Sequence, residues 1–284
     1  MTSIAIVVDT DASLPPALAE RYGIRQVPIN VHFGDEAFQT GVDIDDKTLV
    51  ARIRRDGALP TTSAPTPGQF AAAYEDAFET GADSLACICV SSEISGTYNA
   101  AVQACQLFEN RPITVVDSRS VSMGQGYMAL EAARAAEDGA SMEEIIAAAE
   151  AVRERTSLYA ALDTLHYLAL SGRVGHLAAG MAALLNIKPL LTLQEGKLEM
   201  LEKVRTRRKA WGRLLALTEA SLGNKSVEQL SILHVDAEEN AQAFEDALRE
   251  TVACPEQITI APFSAGLAVH TGPGMIAVIA VAEA

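Results

Sequence analysis

The sequence predicts an α/β protein of two domains: an N-terminal α/β domain on a mainly parallel, Rossmann-like sheet, and a C-terminal mixed α+β domain. Three observations carry that prediction. In the first half, short β-branched runs alternate with longer helical stretches, and strand, turn, helix, repeated, is the pattern of a parallel sheet. From about residue 157 hairpins mix with helices, which points to a second, mixed layer. A chain of 284 residues, 49% apolar and 21% charged, has the length for two cores and the composition of a globular protein. The expected domains are 1–156 and 157–284.

Taken in order, "IAIVV" (Ile4 to Val8) reads as a buried strand, and Ser13, as N-cap, opens a helix with Pro15 and Pro16. "QVPINVHF" reads as one strand, placed at an edge by Pro28 and ended by Gly34-Asp35. "SLACICV" and "ITVVD" are buried strands that hand over to Ser-rich turns, and helical patterns cover 68–80, 96–109, 123–138 and 142–154. In the second half "SLYAALD" and "IKPLLTL" read as strands, with Gln194 to Gly196 as a hairpin turn into "KLEMLEKV". A basic helix, the strand "QLSILHV", a helix over 237–251, the strand "ITIAPF" and the closing strand "MIAVIAVA" complete the order.

A formal net charge of -15 argues against nucleic acid as a partner, because phosphate neutralisation needs a basic face. The basic run from Lys203 to Arg213 stands out against this background, either as a solvated helix face or as a patch for an anion or partner. Cys87 and Cys89 share one face of a strand; with Cys105 and Cys254 they form neither a zinc pattern nor a disulfide framework, and read as free thiols. No basic leader and no apolar run of membrane-spanning length is visible, so the expected compartment is the cytoplasm.

Three turns share one chemistry: Pro60 to Gly68, Ser91 to Tyr98 and Asp117 to Gly126 put hydroxyls at strand ends and helix starts. Such turns gather where open α/β sheets bind ligands, and N–H groups at helix starts favour an anion. Each also has a plain reading, since Ser and Thr are good N-caps. No nucleophile elbow, P-loop or dinucleotide fingerprint occurs, and no metal-like histidine spacing, so neither a catalytic residue, a metal nor a cofactor is assigned. His32, His166 and His234 lie in apolar runs and read as core or half-buried side chains, while His176 carries no assignment. His270 differs, standing with Thr271 at the head of the glycine turn "HTGPG", and is assigned a ligand or partner role.

The motifs in order resemble the DegV family of bacterial fatty-acid-binding proteins, over essentially the whole chain. They are "VVDTDASLP", "TSAPTPGQF", "SSEISGTYNAA", "VVDSRSVSMGQG", "YLALSGRVG", "NIKPLLTLQEGKL" and "HTGPG". Ala64, Ser171 and Ala268 depart from residues common in that family. The resemblance implies a long-chain fatty acid at the domain interface, its carboxylate held by Thr62, Ser63, Ser95 and Gly96, with His270 and Arg205 near it. It implies no turnover by this chain; a separate fatty acid kinase would phosphorylate the presented carboxylate and feed phospholipid synthesis. Arg173, Arg207 and Arg208 are candidates for contact with that kinase, its nucleotide phosphates or, in passing, an anionic membrane surface. "LAAGMAALLNI" and "LHYLAL" are suited to line a tunnel or to pack as ordinary helix surface. The alternative is a serine-dependent acyl hydrolase or transferase, with Ser95 as nucleophile and His270 as base.

Overall fold

The computed structural model of the chain describes residues 3–173 and 187–284. These form two compact units, Met1–Asp43 with Thr62–Glu154, and Ile44–Thr61 with Arg155–Ala284.

In the first unit β1 (Ile4–Asp9) runs into a 3₁₀ turn, Thr10–Ala12, and then α1 (Pro16–Arg21). Ser13 is not the N-cap of α1, as expected from sequence. It closes the 3₁₀ turn in a left-handed conformation (φ 49°), and Pro15 directly precedes the helix. Nor is "QVPINVHF" one strand: β2 (Arg25–Val27) and β3 (Asn30–Phe33) lie in different sheets. Pro28 has no N–H to extend the ladder. Just beyond it Ile29 donates to Thr10 Oγ1 at 2.9 Å instead of to a strand.

Next come β4 (Glu36–Gln39), α2 (Asp46–Asp56), β5 (Thr61–Ser63), α3 (Pro67–Glu79), β6 (Ser84–Cys89), α4 (Thr97–Cys105), β7 (Ile113–Asp117), α5 (Met123–Glu137) and α6 (Met142–Arg155). The sheet β2-β1-β6-β7 is parallel throughout, and β4-β3-β5 form a small separate sheet. Strand β6 is buried along its whole length, as a strand covered on both faces must be. Phe70, Tyr74 and Ala77 of α3 and Ala100, Ala101 and Ala104 of α4 pack with Cys87 and Cys89 into one core. The two thiols are buried, 3.7 Å apart and free, as the strand pattern predicts.

The sequence order turns back between β1 and β6, and the carboxyl ends of those strands flank the point where open sheets bind ligands. Here the chain fills it with its own acid. Asp9, fully buried, accepts hydrogen bonds from the N–H groups of Asp11 (3.0 Å) and Val90 (2.8 Å) and from Gln125 Nε2 (3.0 Å). Burial outweighs these three donors and pushes the carboxyl up to about 6.

The second unit contains β8 (Thr156–Ala161), α7 (His166–Ser171), β9 (Lys188–Gln194), β10 (Lys197–Val204), α8 (Arg207–Leu222), β11 (Val227–His234), α9 (Glu238–Thr251), β12 (Thr259–Pro262), α10 (Ala265–Thr271) and β13 (Ile276–Ala282). Its sheet, in the order β10-β9-β8-β13-β11-β12, is antiparallel except where β12 joins β11. The β9–β10 hairpin turns on Glu195 (φ 49°) and Gly196 (φ 79°), both left-handed, as a two-residue hairpin requires. Leu214, Leu222, Phe244 and Leu248 of α8 and α9 cover Leu190, Ile232, Ile276 and Val278 of the sheet. Helix α2 also belongs here. Asp45 caps it through the Thr48 N–H at 2.7 Å, and Leu49, Val50 and Ile53 are buried. Among the described residues no helix is long and apolar enough to cross a membrane.

Because its folded pKa is raised, Asp9 contributes stability that is fully present below its unfolded value near 3.8 and is lost as pH rises through about 6. Asp9→Asn keeps the shape but sets an amide N–H against at least one backbone donor, a loss of about 1–3 kcal/mol. In urea unfolding, the gap between wild type and variant is therefore expected to be wider near pH 4 than at pH 7. A gap that is constant, or narrower in acid, refutes this account of Asp9.

Candidate functional site

Packing brings the expected loops of the first unit together. Helices α3 and α4 lie side by side, and the Tyr74 hydroxyl donates to the Ala101 carbonyl at 3.4 Å, so the loops before their N-termini become neighbours. A Cβ added at Gly96 would meet Ala64 Cβ at 3.9 Å. The first loop is braced by a capping box, Thr66 Oγ1 accepting from the Gln69 N–H and Gln69 Oε1 from the Thr66 N–H. Asn30 Nδ2 donates to the Ala64 carbonyl and to Gln69 Oε1, both at 3.2 Å.

On this frame Thr62 is half-buried and Ser63 exposed, with Ser63 Oγ 2.9 Å from His32 Nε2. In the second loop Ser95 Oγ lies 2.8 Å from Thr97 Oγ1 and accepts from the Thr97 N–H at 3.3 Å. Gly96 is the N-cap of α4 and supplies no side chain, so Ser95, one residue earlier, takes the Thr97 N–H and the N-cap itself caps none of the first turn. The third loop ties on through Asp117, which accepts from Ser92 Oγ at 2.6 Å and from the Arg119 N–H at 2.9 Å. The Ser91 N–H donates to the Ser120 carbonyl at 2.9 Å. The loops after β6 and β7 thus form one array of hydroxyls and N–H groups at the carboxyl end of the parallel sheet, while Thr62 and Ser63, expected in a turn, lie in β5 of the small separate sheet, whose following loop meets the array at Ala64 beside Gly96. Such an array suits an anion. Ser95 thus spends its hydroxyl on Thr97, the side chain that follows Gly96.

In the second unit the "HTGPG" segment, expected as a turn, begins inside α10. His270 and Thr271 close that helix and Gly272 (φ 73°) ends it. Gly274 donates to the Val235 carbonyl at 2.8 Å, stitching the turn to β11 before β13 starts. Both glycines are needed for close approach, but to protein. A Cβ on Gly272 would fall 2.2 Å from the Tyr167 ring, and one on Gly274 would fall 2.6 Å from Asp163 Oδ2. His270 is half-buried; burial, and then the charge of Arg173, hold its imidazole down to about 4.

The cations sit at the surface. Arg205 and Arg208 are exposed and have no ion pair among the described residues, and Arg207 reaches Asp163 at 3.3 Å. Arg207, Arg208 and Lys209 occupy the first turn of α8, the helix end where cations are disfavoured. Arg173, also exposed, donates to the Ser171 carbonyl at 2.7 Å. His234 is buried as expected, its Nδ1 accepting from the Ala237 N–H at 3.4 Å, and burial lowers its pKa. His166 is not half-buried but exposed, because α7 turns Leu165 and Leu168 inward. Of "LHYLAL", Leu170 is also exposed. His176 and residues 177–186 of the second apolar segment lie outside the described residues. Sequence reading missed Asn30 and Gln69 as loop braces, and Asp163, Tyr167 and Lys188 as partners of the second unit's turn and cations. The glycines of "HTGPG" were the one signal for Tyr167 and Asp163.

The sequence profile of the DegV family, described as uncharacterised proteins, matches residues 3–283. A DegV domain-containing protein of Streptomyces coelicolor is 38% identical over 276 residues, 97% of each chain. Among solved structures, a DegV family protein of Thermus thermophilus, described for its fatty acid binding, superposes with a TM-score of 0.91 at 31% identity, covering 99% of this chain and 100% of that one. DegV of Bacillus subtilis, described as a fatty acid binding protein, gives 0.89 at 29% identity with 100% of both chains covered.

Two outcomes follow from this geometry. The depressed pKa of His270 means that the neutral ring stabilises the fold above its ordinary value of 6.5, and that this is lost as pH falls toward about 4. In an NMR titration Arg173→Met should raise the His270 midpoint yet leave it below 6.5, since burial is the larger cause; an unchanged midpoint contradicts the coupling. Separately, Gly272→Ala should destabilise by more than the roughly 1–3 kcal/mol of backbone strain. The loss should shrink when Tyr167 is also replaced by Ala, and an additive cycle means that the ring does not set the cost.

Proposed function

The chain belongs to the DegV family, and on that premise we propose that it binds a long-chain fatty acid and presents the carboxylate to a separate fatty acid kinase. The observation that carries this reading is the donor array of the first unit. The loops after β6 and β7 are tied through Asp117, Ala64 of the first loop stands beside Gly96, and the α4 N-terminus among them has no side-chain cap. We assign Thr62, Ser63, Ser95 and Gly96 to the carboxylate, and His270 and Arg205 of the other unit to the same head group. Acyl-phosphate made by the kinase would feed phospholipid synthesis, with Arg173, Arg207 and Arg208 as contacts for the kinase or an anionic membrane surface.

The energetics allow binding without a covalent link. A chain of roughly fifteen methylenes gains on the order of 12 kcal/mol on leaving water, before ordering costs. The head group then needs only charge-assisted hydrogen bonds for orientation. A neutral imidazole at His270 offers one donor and one acceptor at neutral pH, so it fits a carboxylate by hydrogen bonding rather than by charge.

Native mass spectrometry of the purified protein, followed by solvent extraction, should yield a fatty acid in near-equal molar amount. Ser95→Ala and Thr62→Ala should each weaken its binding by about 1.5–3 kcal/mol, a lost charge-assisted hydrogen bond. Unchanged affinity in both variants and in the double variant would remove these hydroxyls from the site. Hydrolysis of a chromogenic acyl ester that depends on Ser95 would replace this reading with the hydrolase one.

A further inference from the structure

Beside the "HTGPG" turn lies a three-member charge cluster to which the reading above gives no joint role. Asp163 follows β8, Lys188 opens the adjacent strand β9, and Arg207 opens α8. Lys188 Nζ reaches Asp163 Oδ1 at 2.9 Å and donates to the Asp163 carbonyl at 3.1 Å, and Arg207 Nη2 reaches Asp163 Oδ2 at 3.3 Å. The carboxylate occupies the space that glycine alone leaves at position 274, where a Cβ would lie 2.6 Å from Oδ2.

We propose that Lys188 and Arg207 form a phosphoryl-binding site, with Asp163 as the positioning residue that fixes both cations beside the "HTGPG" turn. The inference rests on the fatty acid reading and extends it to the phosphorylated head group.

Three features support it. One carboxylate neutralises only one of the two cations, so the cluster keeps a positive charge in a chain of net charge -15. Donors remain as well. Lys188 spends two of its three on Asp163, and among the described residues the bond of Arg207 to Asp163 leaves most of its five free for an oxyanion. Finally, Lys188 and Asp163 are only about a quarter exposed on their side chains (25% and 29%), which holds the pair in one geometry, whereas Arg207, at 49%, keeps access to a ligand. A carboxylate carries one charge and an acyl-phosphate head close to two, so the surplus positive charge favours the second over the first.

The test compares palmitate with hexadecylphosphonate by calorimetry on delipidated full-length protein. Lys188→Met should weaken the phosphonate about tenfold, the loss of a charge-assisted contact, and leave palmitate within about threefold. In wild type, phosphonate affinity should rise with pH as the head takes its second charge, and that rise should flatten in Lys188→Met. Equal loss of both ligands, or an unchanged ratio and pH profile, overturns the phosphoryl site while leaving fatty acid binding in place. Failure of wild type to bind palmitate overturns both readings together.

Discussion

The buried carboxylate of Asp9 is the constraint on which the first unit depends. A parallel sheet whose order turns back between β1 and β6 leaves N–H groups converging at the carboxyl ends of those strands. In many such sheets a ligand's phosphate would meet them. Here a side chain does, accepting from Asp11, Val90 and Gln125, and so linking β1, the loop after β6 and α5 at one point. With that crevice filled from within, the donors still open to a ligand are those of the loops beyond the strand ends. The energetic cost of the buried acid is seen in its raised pKa.

What aims those outer loops is ordinary packing. The α3–α4 contact is built from Phe70, Tyr74 and a run of alanines, small enough to bring the helices close. Close helices place the two N-termini side by side, which brings Ala64 to Gly96. The hydrogen bonds of Asn30, Gln69 and Asp117 then hold the loops once packing has delivered them. A hydroxyl array on flexible loops would lose rotational freedom on every binding event; this one is largely ordered beforehand.

Much of the fold could be read because its signals are local. The β6 run is apolar from Leu85 to Cys89, and a Glu-Gly pair between "TLQ" and "KLEM" has one good hairpin solution. The failures share a cause too, in that each depends on a distant partner. Ser13 reads as an N-cap until the geometry of Pro15 and the 3₁₀ turn is known. Helix α2 has a caps-and-stripe pattern of its own, with Asp45, Gly57 and Leu49, Val50 and Ile53, yet nothing in it says which unit it joins. Loop hydroxyls such as Ser95 could be singled out by type and position. Their braces could not, because Asn30 lies 34 residues from Ala64 and carries no motif.

The "HTGPG" turn shows how a correct signal can carry an incomplete reason. Glycines at 272 and 274 mark a turn, and on sequence alone that turn serves to hold His270 toward a ligand or partner. In the folded unit the glycines leave room for a tyrosine ring and a carboxylate, and both act at short range on the turn that carries His270. A ligand contact would constrain the turn only when the ligand is bound. Contacts with Tyr167 and Asp163 constrain it at all times, and Asp163 passes the same constraint to Lys188 and Arg207. The imidazole end of the turn and the cationic cluster are therefore parts of one preorganised framework, set by two glycines that leave room for it.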